Sequence, residues 1–326
     1  MARKKGKVYS GIGGQAVLEG IMMKNKEKYA VAVRRPDGGI AVELENTQGI
    51  LEGNKIKKIP LIRGVFNFID SMILGMKCIN LSASVYDEDE GKTSGGKGDK
   101  IASFLVTILA VVFAVGIFVV LPSYLTTLFT ESLRNESLRA IIEGGLRILI
   151  FILYILLISI MKDIRRLFRY HGAEHQCINC LEKGKPLTVR NVMRSSRLHK
   201  RCGTSFIFFV FLVSVVLFFF IRVDDPLMRV LLRILLIPVV AGISYEIIQL
   251  AGRFDNIFVN ILSMPGMAVQ LLTTKKPDKY MAEVAIAAVE AVFDWRSFLR
   301  ENFGYEGNEA QAEDRGQNKE DEAEDI

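Results

Sequence analysis

The sequence predicts an α-helical polytopic membrane protein with about four transmembrane helices, a small N-terminal β-containing module and a C-terminal amphipathic helix. Three observations support this fold class. Hydrophobic residues make up 50% of the 326 residues and charged residues 24%, and the two kinds lie in separate stretches. Residues 8–50 largely alternate apolar and polar side chains around a turn sequence. Residues 278–295 repeat apolar side chains at helical spacing.

The N-terminal module is predicted over residues 1–58. Its segments YAVAVRR, PDGG and IAVELEN form a strand–turn–strand pattern that is typical of a β-hairpin. Residues 59–86 have apolar side chains at helical spacing, but Asn67 and Asp70 argue against a transmembrane span. We therefore expect an amphipathic helix that lies on the membrane or against the core. The acidic, Gly/Ser-rich residues 87–100 predict a linker.

Four segments are long and apolar enough to cross a bilayer, which requires about 20 predominantly apolar residues. They are residues 101–125, 145–161, 204–221 and 230–251, and together they define a membrane domain over 101–251. Residues 252–300 predict an interfacial or re-entrant segment followed by the amphipathic helix. The acidic residues 301–326 predict a disordered tail.

The connection 162–202 predicts the topology. It holds eleven basic residues: Lys162, Arg165, Arg166, Arg169, Lys183, Lys185, Arg190, Arg194, Arg197, Lys200 and Arg201. By the positive-inside rule this loop and both termini face the cytoplasm, which predicts a multi-pass protein of the inner (plasma) membrane surrounded by membrane lipids. The net charge of +6 alone would also fit nucleic-acid binding. Because the basic residues flank apolar runs, no nucleic acid is expected as a partner.

The same loop concentrates the residues that bind metals, because it contains all three histidines and three of the four cysteines. His171, Glu174 and His175 have the H-x-x-E-H spacing, which on a helix lets both imidazoles reach one ion while the glutamate activates a bound water. His199 and Cys202 are candidates for further ligands, since imidazole nitrogen and thiolate sulfur both suit zinc. The sequence therefore predicts a Zn²⁺ site with Glu174 as general base.

Glu246 is a further candidate ligand, because an acidic residue inside an apolar span is usually functional. The third span begins directly after Cys202 and the fourth ends shortly after Glu246. In an antiparallel helical hairpin these two residues would reach similar depth at the cytoplasmic surface. The alternative for Glu246 is a cap or an ion pair with an arginine such as Arg253.

Two other interpretations of the cluster remain open at this point. His175, Cys177, Cys180 and Cys202 could close a tetrahedral structural zinc site, in which Glu174 would have no catalytic role. Alternatively, the histidines of the basic loop contact lipid phosphates or carboxylates without any metal.

Several motifs resemble one family. They are GIGGQAVLEGIMM, PLIRGV, YHGAEH, HKRCGTSF, SYEIIQ and PGMAVQLLTTKKPD, and together they cover nearly the whole chain. The chain resembles the YqhQ-like family of bacterial polytopic membrane proteins. This resemblance implies a metal-dependent enzyme with no settled substrate, and it supports His171, Glu174, His175, His199 and Cys202 as motif positions, with Glu246 inside a further motif. Proline commonly replaces Lys200 in that family, and Cys177 is commonly not cysteine, which argues against the structural zinc site.

The expected function is metal-dependent hydrolysis at the cytoplasmic membrane surface, of a membrane protein or peptide or of a lipid. The alternative is a non-enzymatic membrane factor for assembly, transport or metal sensing, with a structural metal. An oligomer is compatible with either function.

Overall fold

A computed structural model describes residues 7–89, 97–129, 136–220, 223, 225–254 and 256–307. The N-terminal segment forms a four-stranded antiparallel meander, in the order β1 (Gly13–Val17), β2 (Gly20–Asn25), β3 (Lys28–Arg34) and β4 (Ile40–Asn46). Two residues connect β1 to β2, and two connect β2 to β3. The structure thus confirms the predicted hairpin and extends it to four strands.

The rest of the described chain is mainly helical. The first helices are α1 (Ile62–Asp89), α2 (Lys97–Val115), a π-helical turn (Gly116–Val120), α3 (Leu121–Phe129) and α4 (Glu136–Ile158). The predicted loop 162–202 is itself mostly helical, with α5 (Lys162–Glu182) and α6 (Val189–Met193). After it come α7 (Gly203–Phe220), α8 (Pro226–Leu235), α9 (Ile237–Arg253), α10 (Ile257–Thr273), α11 (Lys279–Val292) and α12 (Trp295–Phe303).

Successive side chains of a strand point to opposite faces of the sheet, and here many side chains on both faces are apolar. The sheet accordingly has helices on both faces. One face, with Ile21 and Met23, packs against α5 and α11 in the main hydrophobic core. The other face packs against Leu74 and Cys78 of α1. The segments predicted as separate N-terminal, loop and C-terminal units therefore share a core, since a two-faced sheet needs cover on both sides.

The described residues include four helices long and apolar enough to cross a membrane: Ile62–Val85, Phe104–Phe129, Ser137–Ile158 and Gly203–Phe220. The last three correspond to the first three predicted spans. Helix α7 contacts α4, α9 and α10, and so lies at the centre of the apolar helices. Helix α10 is apolar but shorter, and it carries Pro265 in its interior.

The predicted span 230–251 is not one continuous helix. It divides into Leu227–Leu235 and Ile237–Gly252, which are bent by 44°. Pro238 lies in the first turn of α9, and proline lacks the N–H that would continue a hydrogen-bonded helix. Counted as one span, this pair brings the number of candidates in the described chain to five.

Helix α1 corresponds to the amphipathic segment predicted over residues 59–86. It meets the length and hydropathy requirements of a span, with a mean hydropathy of 1.2 against 3.1 for Phe104–Phe129. Its contact with the sheet covers part of its apolar side. Of the linker predicted over 87–100, residues 87–89 belong to α1 and residues 97–100 to α2, while 90–96 lie outside the described residues. Most of the predicted tail, residues 308–326, also lies outside them.

Candidate metal centre

Helix α5 places His171, Glu174 and His175 on one face, as the spacing predicts. Gly172 interrupts this motif for a structural reason. A Cβ at Gly172 would lie 2.1 Å from the carbonyl oxygen of Lys275. The segment after α10 approaches α5 this closely because Lys275 N donates to Phe168 O over 2.8 Å. Glycine has a low helix propensity, but at position 172 it lets Lys275 contact α5. This contact places residues 273–275 beside the site.

Main-chain carbonyls orient both histidine rings. His171 Nδ1 lies 3.0 Å from the carbonyl oxygen of Thr273, and His175 Nδ1 forms a short hydrogen bond with the carbonyl oxygen of Arg197. Because a carbonyl oxygen only accepts, each Nδ1 carries the proton and each Nε2 keeps its lone pair. This arrangement fixes the tautomer that binds a metal through Nε2.

Cys202 lies immediately before α7 and completes the group. Its Sγ is 3.2 Å from His171 Nε2 and accepts a hydrogen bond from Thr204 N over 3.4 Å. Ligand atoms of His171, His175 and Cys202 all lie within 4.8 Å of one another. Ligands of a tetrahedral zinc ion are separated by about 3.5 Å, so the three atoms are close to a binding geometry. Imidazole and thiolate at the start of a helix are donors that suit zinc.

Glu174 lies beside the two imidazoles. Its Oε2 is 3.5 Å from His175 Nε2 and 4.0 Å from His171 Nε2. Burial raises the pKa of this carboxyl to about 7, although electrostatic interactions with His171 and Arg201 oppose that shift. A Cβ on Gly14 of β1 would lie 2.7 Å from Glu174 Cγ, so only glycine lets the strand pass this close to the carboxylate.

His199 lies near the group but does not join it. Its ring centroid is 5.7 Å from that of His175. Its Nδ1 accepts from Arg201 N over 3.4 Å, while its Nε2 lies 3.5 Å from a carboxylate oxygen of Glu182. Both ring nitrogens therefore have protein partners, and burial lowers the pKa of His199 to about 3. The structure thus places His199 beside Glu182 and outside the group formed by His171, His175 and Cys202, and its role as a ligand stays a prediction.

Glu246 also lies outside the ligand group. Both of its carboxylate oxygens pair with the guanidinium of Arg63, and Oε1 accepts from Leu61 N over 3.3 Å. This pair joins the start of α1 to α9. The arginine-pair alternative thus describes Glu246, with Arg63 in place of the Arg253 proposed from the sequence.

The four-ligand structural site is not assembled. Cys177 and Cys180 are fully buried in the main hydrophobic core with Ile178 and Leu181. Burial raises the pKa of the Cys177 thiol, which disfavours a thiolate, and Cys180 Sγ donates to the carbonyl oxygen of Pro186 over 3.4 Å. Two and five residues after His175, these cysteines lie on other sides of α5.

A cavity of about 440 Å³ opens in front of the cluster. Its walls come from both the sheet and the helices. They include Gly11–Gln15 of the N-terminal segment, Met22 and Lys24 of β2, Ser71 and Leu74 of α1, and the residues around the cluster. Arg201, at one side, stacks on Tyr9 with its guanidinium carbon 3.9 Å from the ring centroid.

Glu182 and Gln270 position the site, and the sequence interpretation missed both. Glu182 is fully buried and binds Arg201, Lys7 and the main-chain N–H of Ser10, which fastens the N-terminal segment to α5. It follows His171 by three helical turns, so the helical period was the signal that could have identified it. The Gln270 amide accepts from His199 N over 2.9 Å and donates to His199 O over 2.7 Å. Its only sequence signal was its place in the PGMAVQLLTTKKPD motif.

The fold and the site define a mostly helical protein with several long apolar helices, an N-terminal four-stranded sheet and a buried His/Cys/Glu cluster between them. A family model described as "Protein of unknown function (DUF1385)" matches residues 59–295. The chain is 35% identical over 308 residues to "Uncharacterized protein YqhQ" of Bacillus subtilis (strain 168), covering 91% of this chain and 97% of that protein. The chain therefore belongs to this YqhQ-like family. No solved structure matches it.

Proposed function

We propose that this chain is a zinc-dependent hydrolase whose site lies at the cytoplasmic surface of the bacterial plasma membrane. One observation carries the proposal. The ligand atoms of His171, His175 and Cys202 converge within 4.8 Å of one another, with the Glu174 carboxylate beside them, at the wall of a large cavity. Three protein ligands next to a cavity are typical of catalytic zinc sites, which keep a position for water.

Each residue has a distinct role in this proposal. His171 Nε2, His175 Nε2 and Cys202 Sγ hold the ion, and the carbonyls of Thr273 and Arg197 hold the two rings in place. Zinc, when bound, supplies Lewis acidity and an activated water. Glu174 accepts a proton from that water and returns it to the leaving group.

The membrane location rests on the apolar helices and on the charge distribution. Three helices have mean hydropathies of 2.4 to 3.1, and few of their residues are buried within the chain. The basic residues of 162–202 lie at the end of this bundle that carries the sheet and the cluster, which favours a cytoplasmic site. Both termini would then be cytoplasmic, and membrane proteins or lipids would be within reach of the site.

Metal analysis of the purified protein in lipid nanodiscs tests the proposal, together with hydrolysis assays on fluorescein-labelled casein and on phospholipid vesicles. We expect about one zinc per wild-type chain and less than about a tenth of that in His171→Ala and His175→Ala. Glu174→Gln is expected to keep zinc and lose hydrolysis. His199→Gln is the matched control, since it replaces a neighbouring histidine outside the ligand group and is expected to keep zinc.

Two results would contradict the proposal. Wild-type protein without stoichiometric zinc would remove the metal site altogether. Zinc that is lost together with the fold in the histidine variants, with no hydrolysis of either substrate by the wild type, would instead support a structural metal in a non-enzymatic membrane factor.

A further inference from the structure

The cavity lies at an open edge of the sheet. Strand β1 is the first strand in the order β1-β2-β3-β4, so it pairs with β2 on one side. The cavity is lined from both faces of the sheet: by Ser71 and Leu74 of α1 on one face, and by His171 and Glu174 of α5 on the other. The cavity therefore has the free edge of β1 on one side and a covering helix on each face. A fifth strand of the sheet would lie in this space.

The main chain of β1 presents hydrogen-bonding groups toward this edge. Val17 pairs with Gly20 across a two-residue connection, so these two residues exchange main-chain hydrogen bonds. Hydrogen-bonded pairs recur at every second residue of an antiparallel pair, so Gln15 also bonds to β2. The N–H and C=O groups of Gly14 and Ala16 therefore point away from β2. Among the residues that the structure describes, neither strand pairing nor another hydrogen bond involves these outward groups.

Gly13 gives a second, independent indication. Its backbone is not in the left-handed region, and a Cβ added to it would meet no atom within 4 Å. Nothing in the described part of the chain therefore requires glycine there, in contrast to Gly14, which must make room for Glu174. An exposed glycine in a strand commonly marks the close approach of a ligand or of another main chain.

We infer that the substrate is an extended segment of polypeptide, which adds to β1 as a fifth strand and thereby lies across the metal cluster. This inference rests on the proposed hydrolase function and names its substrate class. An added strand lies about 4.8 Å from β1, and it places its own N–H and C=O groups against those of Gly14 and Ala16. Gly14 is in direct contact range of the Glu174 side chain, so a peptide bond of the added strand lies in front of the cluster.

The chemistry of the cavity favours a peptide over an acyl chain. Its wall combines histidines, Glu174, Arg201, Lys24 and glycine main chain with apolar side chains such as Leu74 and Ile178, and such a mixture suits a polypeptide better than a purely apolar chain. Peptide hydrolysis needs only water as co-reactant. The water oxygen bonds to the carbonyl carbon, the C–N bond breaks, and Glu174 passes a water proton to the departing nitrogen, which leaves as an amine.

A pair of proline variants tests strand addition. Ala16→Pro removes an outward N–H from β1, and proline at such a position is tolerated in edge strands. Leu44→Pro is the matched control, because β4 is the opposite edge and the alternation of paired residues directs the N–H of Leu44 outward as well. Gly13→Val, whose side chain enters open space in the described structure, projects from a face of β1 into the cavity that the added strand would occupy.

Binding is measured separately from catalysis. The probe is fluorescein-labelled casein, an unstructured polypeptide, and its anisotropy is followed with zinc-loaded Glu174→Gln protein in nanodiscs. We expect Ala16→Pro and Gly13→Val, each added to Glu174→Gln, to weaken binding at least tenfold. Leu44→Pro should change it less than twofold. In the otherwise wild-type protein, Ala16→Pro should lower kcat/KM for casein at least tenfold while zinc content stays the same.

Unchanged casein binding in the folded Ala16→Pro and Gly13→Val variants, or no casein binding at all, would overturn the inference. So would hydrolysis of phospholipid vesicles in place of casein. If the probe binds in a way that depends on β1 but zinc-loaded wild type cleaves nothing, the hydrolase proposal fails while polypeptide docking on β1 stands.

Discussion

Two clusters of buried polar side chains in the described structure differ in what their atoms face. Between α4, α7 and α8, Glu143 binds both Arg147 and Arg233, and Arg147 also donates to Ser214 over 2.9 Å. The cavity beside them is only about 10 Å³. At the cluster of His171, His175, Cys202 and Glu174, both Nε2 atoms, a sulfur and a carboxylate face a cavity of about 440 Å³. The side chains of the first cluster pair with one another and join helices, whereas those of the second line an open cavity.

The largest expected effect comes from Glu174→Gln. The amide keeps the size of the side chain but cannot accept a proton as a carboxylate does, so hydrolysis should fall about 1,000-fold. Zinc content and the unfolding temperature should stay close to wild type, because His171, His175 and Cys202 are unchanged. Hydrolysis above about a tenth of the wild-type rate would show that Glu174 is not the base.

Glu143→Gln tests the other side of the comparison. It removes the only carboxylate that binds Arg147 and Arg233 in the described structure and leaves two buried guanidinium groups without a counter-charge. The free energy of unfolding should fall by roughly 4 kcal/mol. Thermal unfolding in nanodiscs measures this, with Ser214→Ala as a milder control. The amount of zinc bound per folded chain should not change. A loss of zinc without a loss of stability would contradict the account in which the Glu143 cluster stabilises the helices and the His171 cluster binds the metal.

The pH dependence of stability sharpens the distinction between His199 and the ligands. The folded-state pKa of His199, about 3, lies below the ordinary 6.5, so its stabilisation is present in full above pH 6.5 and decreases as pH falls toward 3. The loss should reach roughly 3 kcal/mol by pH 4. Burial acts to raise the pKa of Glu182, but the hydrogen bond from His199 and the charges of Arg201 and Lys7 outweigh burial and hold the pKa below its ordinary value. Glu182 therefore adds to the loss of stability below about pH 4.5.

His199→Gln should flatten this dependence between pH 6.5 and 4.5, because glutamine does not titrate. Chemical unfolding at several pH values measures the slope. Identical slopes for wild type and variant would show that another group accounts for the acid sensitivity.

The smallest effect is expected at Cys180. Its thiol is buried in the core and binds a main-chain carbonyl, away from the ligand group. Cys180→Ala should lower the free energy of unfolding by about 1 kcal/mol and leave zinc content unchanged. A loss of zinc in Cys180→Ala would instead support the structural zinc site that includes Cys177 and Cys180.

Local patterns predicted much of this structure. The helical spacing of His171, Glu174 and His175 and the apolar length of the first three predicted spans follow from single segments, and both are found in the structure. His199 and Glu246 could not be assigned in this way, because their partners Glu182 and Arg63 come from distant segments. The break before Pro238 could not be predicted either. Proline lacks a main-chain N–H, and whether a helix continues past it depends on how neighbouring helices satisfy the freed carbonyl. The common core of the sheet, α5 and α11 likewise depends on long-range packing.

X-ray absorption at the zinc edge tests the central claim most directly. The zinc-loaded wild type should show one sulfur neighbour at about 2.3 Å, with nitrogen or oxygen neighbours at about 2.0 to 2.1 Å. Cys202→Ser should lose that sulfur, while Cys177→Ser and Cys180→Ser should keep it. Two or more sulfur neighbours, or a sulfur that persists in Cys202→Ser, would contradict a site built from His171, His175 and Cys202.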